Sequence, residues 1–164
     1  MFWIGFTKDP LFGAEPGEKG ILGLLMLGSY EERFVTHTWN WSERDYAAQW
    51  RHALTRALEG KLSALITDMR LPTQSSHLVW WPMWKVGRDL VFHNQLLFFA
   101  KHNLEGSHVD VERLYELIGK RMAHNSEGTP VSEWHVPVRD VEAFLKSNSA
   151  ELVMTQGSGL KRLH

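Results

Sequence analysis

The chain of 164 residues contains no cysteine, so neither disulfides nor cysteine-ligated zinc sites are possible. It also lacks any apolar run close to the ~20 residues that span a bilayer. Its first ten residues, MFWIGFTKDP, place no positive charge ahead of a short apolar stretch, unlike a signal peptide. These absences predict a protein of the cytoplasm that has no membrane partner.

Neither positive nor negative charge is in clear excess. The sequence has 18 Lys and Arg against 19 Asp and Glu, which gives a formal net charge of −1. Proteins that bind phosphate backbones generally carry a basic excess. The balance argues against general nucleic-acid binding.

Sequence motifs that carry catalysis are also missing. There is no P-loop, no dinucleotide fingerprint and no nucleophile elbow, and QGSG at 156–159 does not match the last of these. The nine histidines include no H-x-x-x-H or H-x-H pair. We therefore expect no catalytic residues, no metal and no cofactor. A small hydrolase or metal enzyme remains an alternative only if His124, Glu133 and His135 converge.

What the chain does have is tryptophan, eight in all, three of them in HLVWWPMW at 77–84. Such a stretch is either a platform on which bases stack or part of a core. Residues 61–100 hold four basic and two acidic side chains, too small a surplus for a nucleic-acid groove. The apolar neighbours on both faces favour a core, where each ring contributes about 4–6 kcal/mol gross. One tryptophan could still serve as a protein-binding anchor.

The strongest secondary-structure signal is a helix over 42–60. Ser42 stands at the N-cap, Asp45 completes a capping box, Trp50 lies on the apolar stripe, and Gly60 follows the last turn.

The remaining pattern predicts mostly strands. Pro82 should mark a bulge, or a position with an unpaired N–H side, in a strand over 77–85. The other predicted elements are a hairpin within 21–39 with its turn at 28–32, strands over 63–69, 90–100 and 131–138, a helix within 107–122, a helix over 139–148 and a tail over 149–164. This order indicates an α+β fold with a curved, largely antiparallel sheet and about three helices.

Several blocks in order resemble a known family. They are MFWIGFTKDP, YEERF, WSERDYAAQW, SALITDMRLP, the HLVWWPMW…VFHNQLLFF hairpin and SEWHV…DVEAFL. Together they resemble immunity proteins of bacterial contact-dependent growth inhibition systems, in the branch that neutralises a ribosomal-RNA-cleaving toxin. The resemblance covers residues 1–148, which predicts one domain there and a tail at 149–164.

The resemblance implies a cytoplasmic protein without enzymatic activity, whose partner is a cognate toxin domain. It would bind the C-terminal toxin domain of the effector, a nuclease, and hold it inactive by covering the active site. The implied fold is similar to that of Whirly proteins, so a single-stranded nucleic-acid-binding protein of Whirly-like fold is the alternative. The oligomeric state stays open.

Acidic side chains would best complement a nuclease that binds nucleic acid through a basic cleft. Asp45 is a weak candidate because the capping box already uses it. The candidate partner-binding residues are Glu31 and Glu32 in the first turn, Glu43 at the helix start, and Asp68 and Glu127 on loops.

Overall fold

The computed structural model describes residues 1–9, 20–147 and 153–154, which form two β-sheets and three α-helices. The predicted α+β fold with largely antiparallel sheets is confirmed. In chain order the elements are β1 (Phe2–Thr7), β2 (Gly20–Leu27), β3 (Tyr30–His37), α1 (Glu43–Leu58), β4 (Ser63–Asp68), β5 (His77–Val86), β6 (Asp89–Phe92), β7 (Gln95–Phe98), a 3-10 helix (Phe99–His102), α2 (Val111–Tyr115), β8 (Trp134–Pro137), α3 (Val138–Lys146) and β9 (Val153–Met154).

The first sheet has the order β3-β2-β1-β9. The predicted hairpin is confirmed as β2 and β3, but its turn is shorter than expected. Only Gly28 and Ser29 connect the strands, and Gly28 has a φ of +67°, a conformation that glycine adopts without strain. β1 was not predicted as a strand. β9 lies within the predicted tail and pairs with β1 in parallel.

The second sheet has the order β4-β5-β6-β8, with β7 also pairing with β5. The predicted return strand over 90–100 is therefore two strands, which keep one register along β5. Pro82 lies opposite the break. Its carbonyl accepts a hydrogen bond from the His93 N–H (3.1 Å), but proline has no N–H to return. Of the two expectations for Pro82, the unpaired N–H side is confirmed and the bulge is wrong.

Helix α1 begins and ends as its sequence predicts. The Ser42 hydroxyl accepts from the Asp45 N–H (3.3 Å), and the Asp45 carboxylate accepts from the Ser42 N–H (2.8 Å). The backbone and side-chain hydrogen bonds from Ser42 lower the pKa of Asp45. Gly60, just past the helix, has a φ of +80° and satisfies the prediction of a glycine C′ residue.

Polar side chains of α1 bind the outer edge of β4. The Gln49 amide donates to the Ala64 carbonyl (2.7 Å) and accepts from the Ile66 N–H (3.0 Å). The Trp50 indole N–H donates to the Ile66 carbonyl (2.8 Å). The helix thus replaces the strand that the edge of β4 lacks and fixes its own position on the sheet.

The tryptophan-rich strand is mostly interior, as predicted. Trp80 and Trp81 are buried, which makes the stacking-platform interpretation wrong for these rings. Trp81 packs against Trp134 with ring centroids 5.3 Å apart. The two sheets meet where Phe2 packs on Phe92, at 5.8 Å. One apolar core therefore joins both sheets.

Several later elements are shorter than predicted. Within 107–122 only α2 is α-helical, with Asp110 as its N-cap (3.1 Å to the Glu112 N–H). Strand β8 and helix α3 fall inside the predicted 131–138 and 139–148, apart from α3 starting one residue earlier. Apart from β9, the predicted tail lies outside the described residues. Among the described helices, none is long and apolar enough to cross a membrane.

Candidate functional site

The first two acidic candidates lie in strand β3, and their predicted placement in the turn is wrong. Glu31 is exposed, with its carboxylate 3.8 Å from the Arg33 guanidinium. Glu32 points to the opposite face and accepts a hydrogen bond from the Tyr30 hydroxyl at 2.5 Å. That hydrogen bond, helped by burial, raises the pKa of Tyr30 to about 12.

Asp68 is the last residue of β4, not a loop residue, and is only 6% exposed. One carboxylate oxygen accepts from the His37 N–H (3.0 Å) and lies 3.0 Å from the His37 ring Nδ1. The other accepts from the Arg70 Nε–H (2.9 Å). Both oxygens therefore have internal partners, as a buried carboxylate requires.

All eight tryptophans lie in the described residues, and Trp39 is the most exposed of them, at 47%. Its ring centroid is 4.7 Å from that of His37 and 5.5 Å from the guanidinium carbon of Arg70. Asp68 holds Arg70, and Arg70 with His37 holds the indole. We call these four residues, His37, Trp39, Asp68 and Arg70, the Trp39 surface.

The acidic candidates do not form one patch. Glu31 and Glu32 start β3, whereas His37 ends it, and five residues of strand span roughly 17 Å. Glu43 lies at the His37 end, because Tyr46 in the first turn of α1 donates to the His37 carbonyl (2.8 Å).

The fifth acidic candidate lies on a separate exposed turn. Glu127 donates its N–H to the Asn125 side chain (3.0 Å) within that turn. Its predicted loop placement is confirmed.

A second surface feature is a groove of about 400 Å³ between β7 and the segment 117–126. The Trp84 indole donates to the Gly119 carbonyl (3.1 Å) and ties that segment to the sheet. The residues that line the groove include Trp80, Trp84, His93, Leu96, Ile118 and Met122.

A partly buried polar network supports one wall of this groove. His93 lies 2.7 Å from the Glu133 carboxylate, which also accepts from Arg121 (2.9 Å). Burial by itself would raise the pKa of Glu133, but the hydrogen bonds from His93 and Arg121 outweigh it and lower the pKa. The network fixes β8 against β6 and the 117–126 segment.

The alternative metal site is not assembled. Glu133 is engaged by His93 and Arg121, and the carboxylate oxygen nearest to His135 is that of Asp89, at 3.9 Å. In the part of the chain that the structure describes, no three His, Asp or Glu side chains are grouped to hold a metal ion.

Sequence reasoning allowed for one surface tryptophan but did not identify it, and it missed Arg70. The segment THTWNWS at 36–42 could have located this tryptophan, because an aromatic residue stands there among polar neighbours after a strand. The fold and these surfaces together define an α+β domain whose clearest exposed features, a fixed tryptophan beside an arginine, are typical of protein interfaces.

Comparison with known proteins identifies the family of this chain. The model of the CdiI N-terminal domain family matches residues 36–144, more than half of the chain, and the chain belongs to that family. It is 26% identical over 149 residues to Immunity protein CdiI of Enterobacter cloacae subsp. cloacae, covering 90% of this chain and 98% of that protein. It also matches a chain of the CdiA-CT/CdiI toxin and immunity complex from Enterobacter cloacae, with a TM-score of 0.76 and 23% identity, over 88% of this chain and 96% of that chain.

Proposed function

We propose that this chain is an immunity protein that binds the C-terminal toxin domain of a contact-dependent growth inhibition effector. It holds that domain, a nuclease, inactive by covering its active site in the cytoplasm. The observation that carries the proposal is the correspondence with Immunity protein CdiI, which extends over 90% of this chain and 98% of that protein. Membership of the CdiI N-terminal domain family supports it independently of any single relative.

Inhibition by binding needs a rigid body, not a reactive group. The capping box of α1, the Gln49 and Trp50 hydrogen bonds to β4 and the shared core supply that rigidity. We propose that the protein acts as a non-enzymatic inhibitor. We place its toxin-binding domain at residues 1–148, with 149–164 as a tail that adds the short strand β9.

The Trp39 surface is our proposed contact with the toxin. Tryptophan and arginine dominate the energetics of protein interfaces. Because Arg70 and His37 already hold the indole, its rotamer freedom is lost on folding, which lowers the entropic cost of binding. Truncating Trp39 removes the exposed ring without touching the core.

The acidic candidates keep a proposed role in the same interaction. Glu31, Glu43 and Glu127 are exposed and can attract a basic toxin surface over distance, although Arg33 partly offsets the charge of Glu31. Glu32 is bound by Tyr30, and Asp68 is buried, so Asp68 acts on the partner through Arg70. The acidic side chains speed the encounter with the toxin, and the Trp39 surface forms the contact in the complex.

The test uses the C-terminal domain of the large secreted protein encoded immediately upstream of this chain's gene. Expression of that domain in cells should stop growth, and co-expression of this chain should restore it. Purified together, the two proteins should elute as one complex in size-exclusion chromatography with light scattering. A toxic domain that neither forms a complex with this chain nor is neutralised by it would overturn the proposal.

A gel-shift with single-stranded DNA and RNA at moderate salt distinguishes the immunity function from the alternative, a nucleic-acid-binding protein. The immunity proposal expects no tight binding. Salt-sensitive binding to single strands, together with failure to bind the toxin domain, would favour the nucleic-acid-binding protein instead.

A further inference from the structure

Two outer edges of the five-stranded sheet are protected in recognisable ways. The outward groups of Ala64 and Ile66 on β4 are hydrogen-bonded by Gln49 and Trp50 of α1. On β8, Pro137 faces outward and has no N–H to offer. Exposed sheet edges are normally blunted in such ways because they can pair with other chains.

The edge of β7 has no such protection. β5 is ten residues long and pairs with β6 and β7 in succession, whereas β8 is four residues long and covers β6 alone. The strand position beside β7 is therefore vacant in the sheet. Among the described strands, β5 alone pairs with β7.

The register identifies the unpaired groups. Hydrogen bonds from Phe99 N–H to the Ser76 carbonyl (3.0 Å) and from His93 N–H to the Pro82 carbonyl (3.1 Å) flank β7. Because backbone groups alternate along a strand, odd-numbered residues face β5, and Leu96 and Phe98 face outward. The Phe98 carbonyl is used by the 3-10 helix, for which Phe98 is the N-cap, but no described residue makes a backbone hydrogen bond to the Leu96 N–H, the Leu96 carbonyl or the Phe98 N–H on that side. Two N–H donors and one carbonyl acceptor, that of Leu96, are left.

The side chains around this edge are apolar and exposed. Leu96 is 46% exposed, Phe98 38% and, in the segment bordering the groove, Met122 58%. The strand, QLLF, contains no charge that would repel an approaching strand. The Lys101 ammonium lies 5.2 Å from the centre of the Phe98 ring, at the end of the strand. An apolar edge left open in this way indicates a binding partner.

We infer that the open edge of β7 binds an extended segment of the toxin, which adds a strand in the position that β8 leaves vacant. This inference rests on the proposed function. An extended polypeptide presents alternating donors and acceptors at the spacing of Leu96 and Phe98, so it can make three main-chain hydrogen bonds. Its alternate side chains would contact the Leu96 and Phe98 patch on one face and the groove on the other.

The position of the edge favours the toxin as occupant. The Phe98 ring packs on that of His77, 5.6 Å away, at the start of β5. Because β4 and β5 are antiparallel, this is the same end of the sheet as Asp68. Arg70 lies near the start of the loop that joins the two strands. The edge and the Trp39 surface thus share one end of the molecule, and one partner can contact both.

Two substitutions at one position separate main chain from side chain. Leu96→Pro removes an outward N–H and leaves the ladder with β5 intact, because proline is tolerated at such an edge position. Leu96→Ala keeps the N–H and removes only the side chain. We expect Leu96→Pro to bind the upstream-encoded toxin domain about 10-fold more weakly than Leu96→Ala, as for one lost hydrogen bond. Equal affinities of the two variants would overturn the inference.

Hydrogen exchange on the wild-type protein gives a second measurement in case Leu96→Pro does not fold. The Leu96 and Phe98 amides should exchange freely in the isolated protein and become protected in the complex with the toxin domain. The Leu97 amide faces β5 and should be protected in both, which makes it the internal control. Unchanged exchange at Leu96 and Phe98 would refute toxin pairing at this edge.

The outcomes distinguish this inference from the proposed function. If the wild type binds and neutralises the toxin but the Leu96 variants and amides behave as in an unpaired edge, the inference alone fails. If the wild type does not bind the toxin, the proposed function fails as well. Concentration-dependent protection of Leu96 and Phe98 without toxin would assign the edge to a second copy of this chain and overturn the inference.

Discussion

Substitution of Trp50 by alanine tests whether α1 is anchored as described. Trp50 is fully buried, and its ring lies 5.0 Å from that of Phe6 and 6.0 Å from that of Phe34. Its indole N–H donates to the Ile66 carbonyl at the edge of β4. Alanine removes both the packing and the donor, so we expect a loss of about 3–5 kcal/mol in the free energy of unfolding.

A second variant separates the part of that loss due to the hydrogen bond from the part due to packing. Trp50→Phe keeps a ring in the core but removes the donor to Ile66, so we expect about 1–3 kcal/mol from the unsatisfied carbonyl and the smaller ring. Set against a total stability of about 5–15 kcal/mol, the alanine variant should be severely weakened. Its melting temperature should fall by about 6–20 °C, at about 2–4 °C per kcal/mol.

Urea unfolding followed by far-UV circular dichroism measures these differences. Trp39→Ala is the matched control, since the same residue type is removed from a half-exposed position, and it should cost only about 1–2 kcal/mol through its contacts with His37 and Arg70. A loss below about 1 kcal/mol for Trp50→Ala would show that the apolar face of α1 and its attachment to β4 are wrongly assigned.

Three further predictions concern the partner and pH. Trp39→Ala should weaken toxin binding about 10–100-fold in surface plasmon resonance, and unchanged affinity would remove the Trp39 surface from the interface. Reversal of Glu31 and Glu32 to lysine should slow toxin association at low salt without unfolding the protein; an unaltered association rate would exclude the start of β3. Because the pKa of Tyr30 is raised to about 12, the unfolded phenol ionises first. The wild type should therefore lose stability relative to Tyr30→Phe between pH ~10 and ~12 in urea unfolding; parallel curves would contradict the Tyr30–Glu32 hydrogen bond.

The sequence predicted best what is decided locally. The capping box of Ser42 and Asp45 and the glycine at position 60 lie within a turn of the residues they affect, so α1 was located almost to the residue. Pro82 is similar, because a missing N–H interrupts a ladder wherever the strand lies. The hairpin of β2 and β3 followed from its strand residues and Gly28.

Elements that depend on distant partners were harder to predict. β1 has apolar residues on both faces and no alternation, so its strand character comes from pairing with β2. The helical spacing within 107–122 continues past Tyr115, but the chain leaves the helix and the Gly119 carbonyl instead accepts from Trp84. Tertiary contacts overrode a local preference in both places.

The candidate site illustrates the same limit. Asp68 was chosen for its charge, but burial against His37 and Arg70 gives it an internal role that no local pattern reveals. Trp39 is one of eight tryptophans, and its exposure follows from the β3–α1 connection passing over Arg70. The open edge of β7 could not be foreseen, because it results from β8 beginning only at Trp134, opposite Phe92.

The net charge and the positions of the exposed side chains limit how this protein can recognise a partner. With a net charge of −1 and acidic candidates at separate places, steering alone cannot fix one orientation of the toxin. The Trp39 surface and the β7 edge can, since one offers a held aromatic ring and the other a row of main-chain groups at the same end of the sheet. A toxin segment paired along β7 would have its direction set by hydrogen bonds, and Trp39 would then limit how the rest of the toxin docks. Specificity between related immunity proteins would therefore depend more on residues at this end than on net charge.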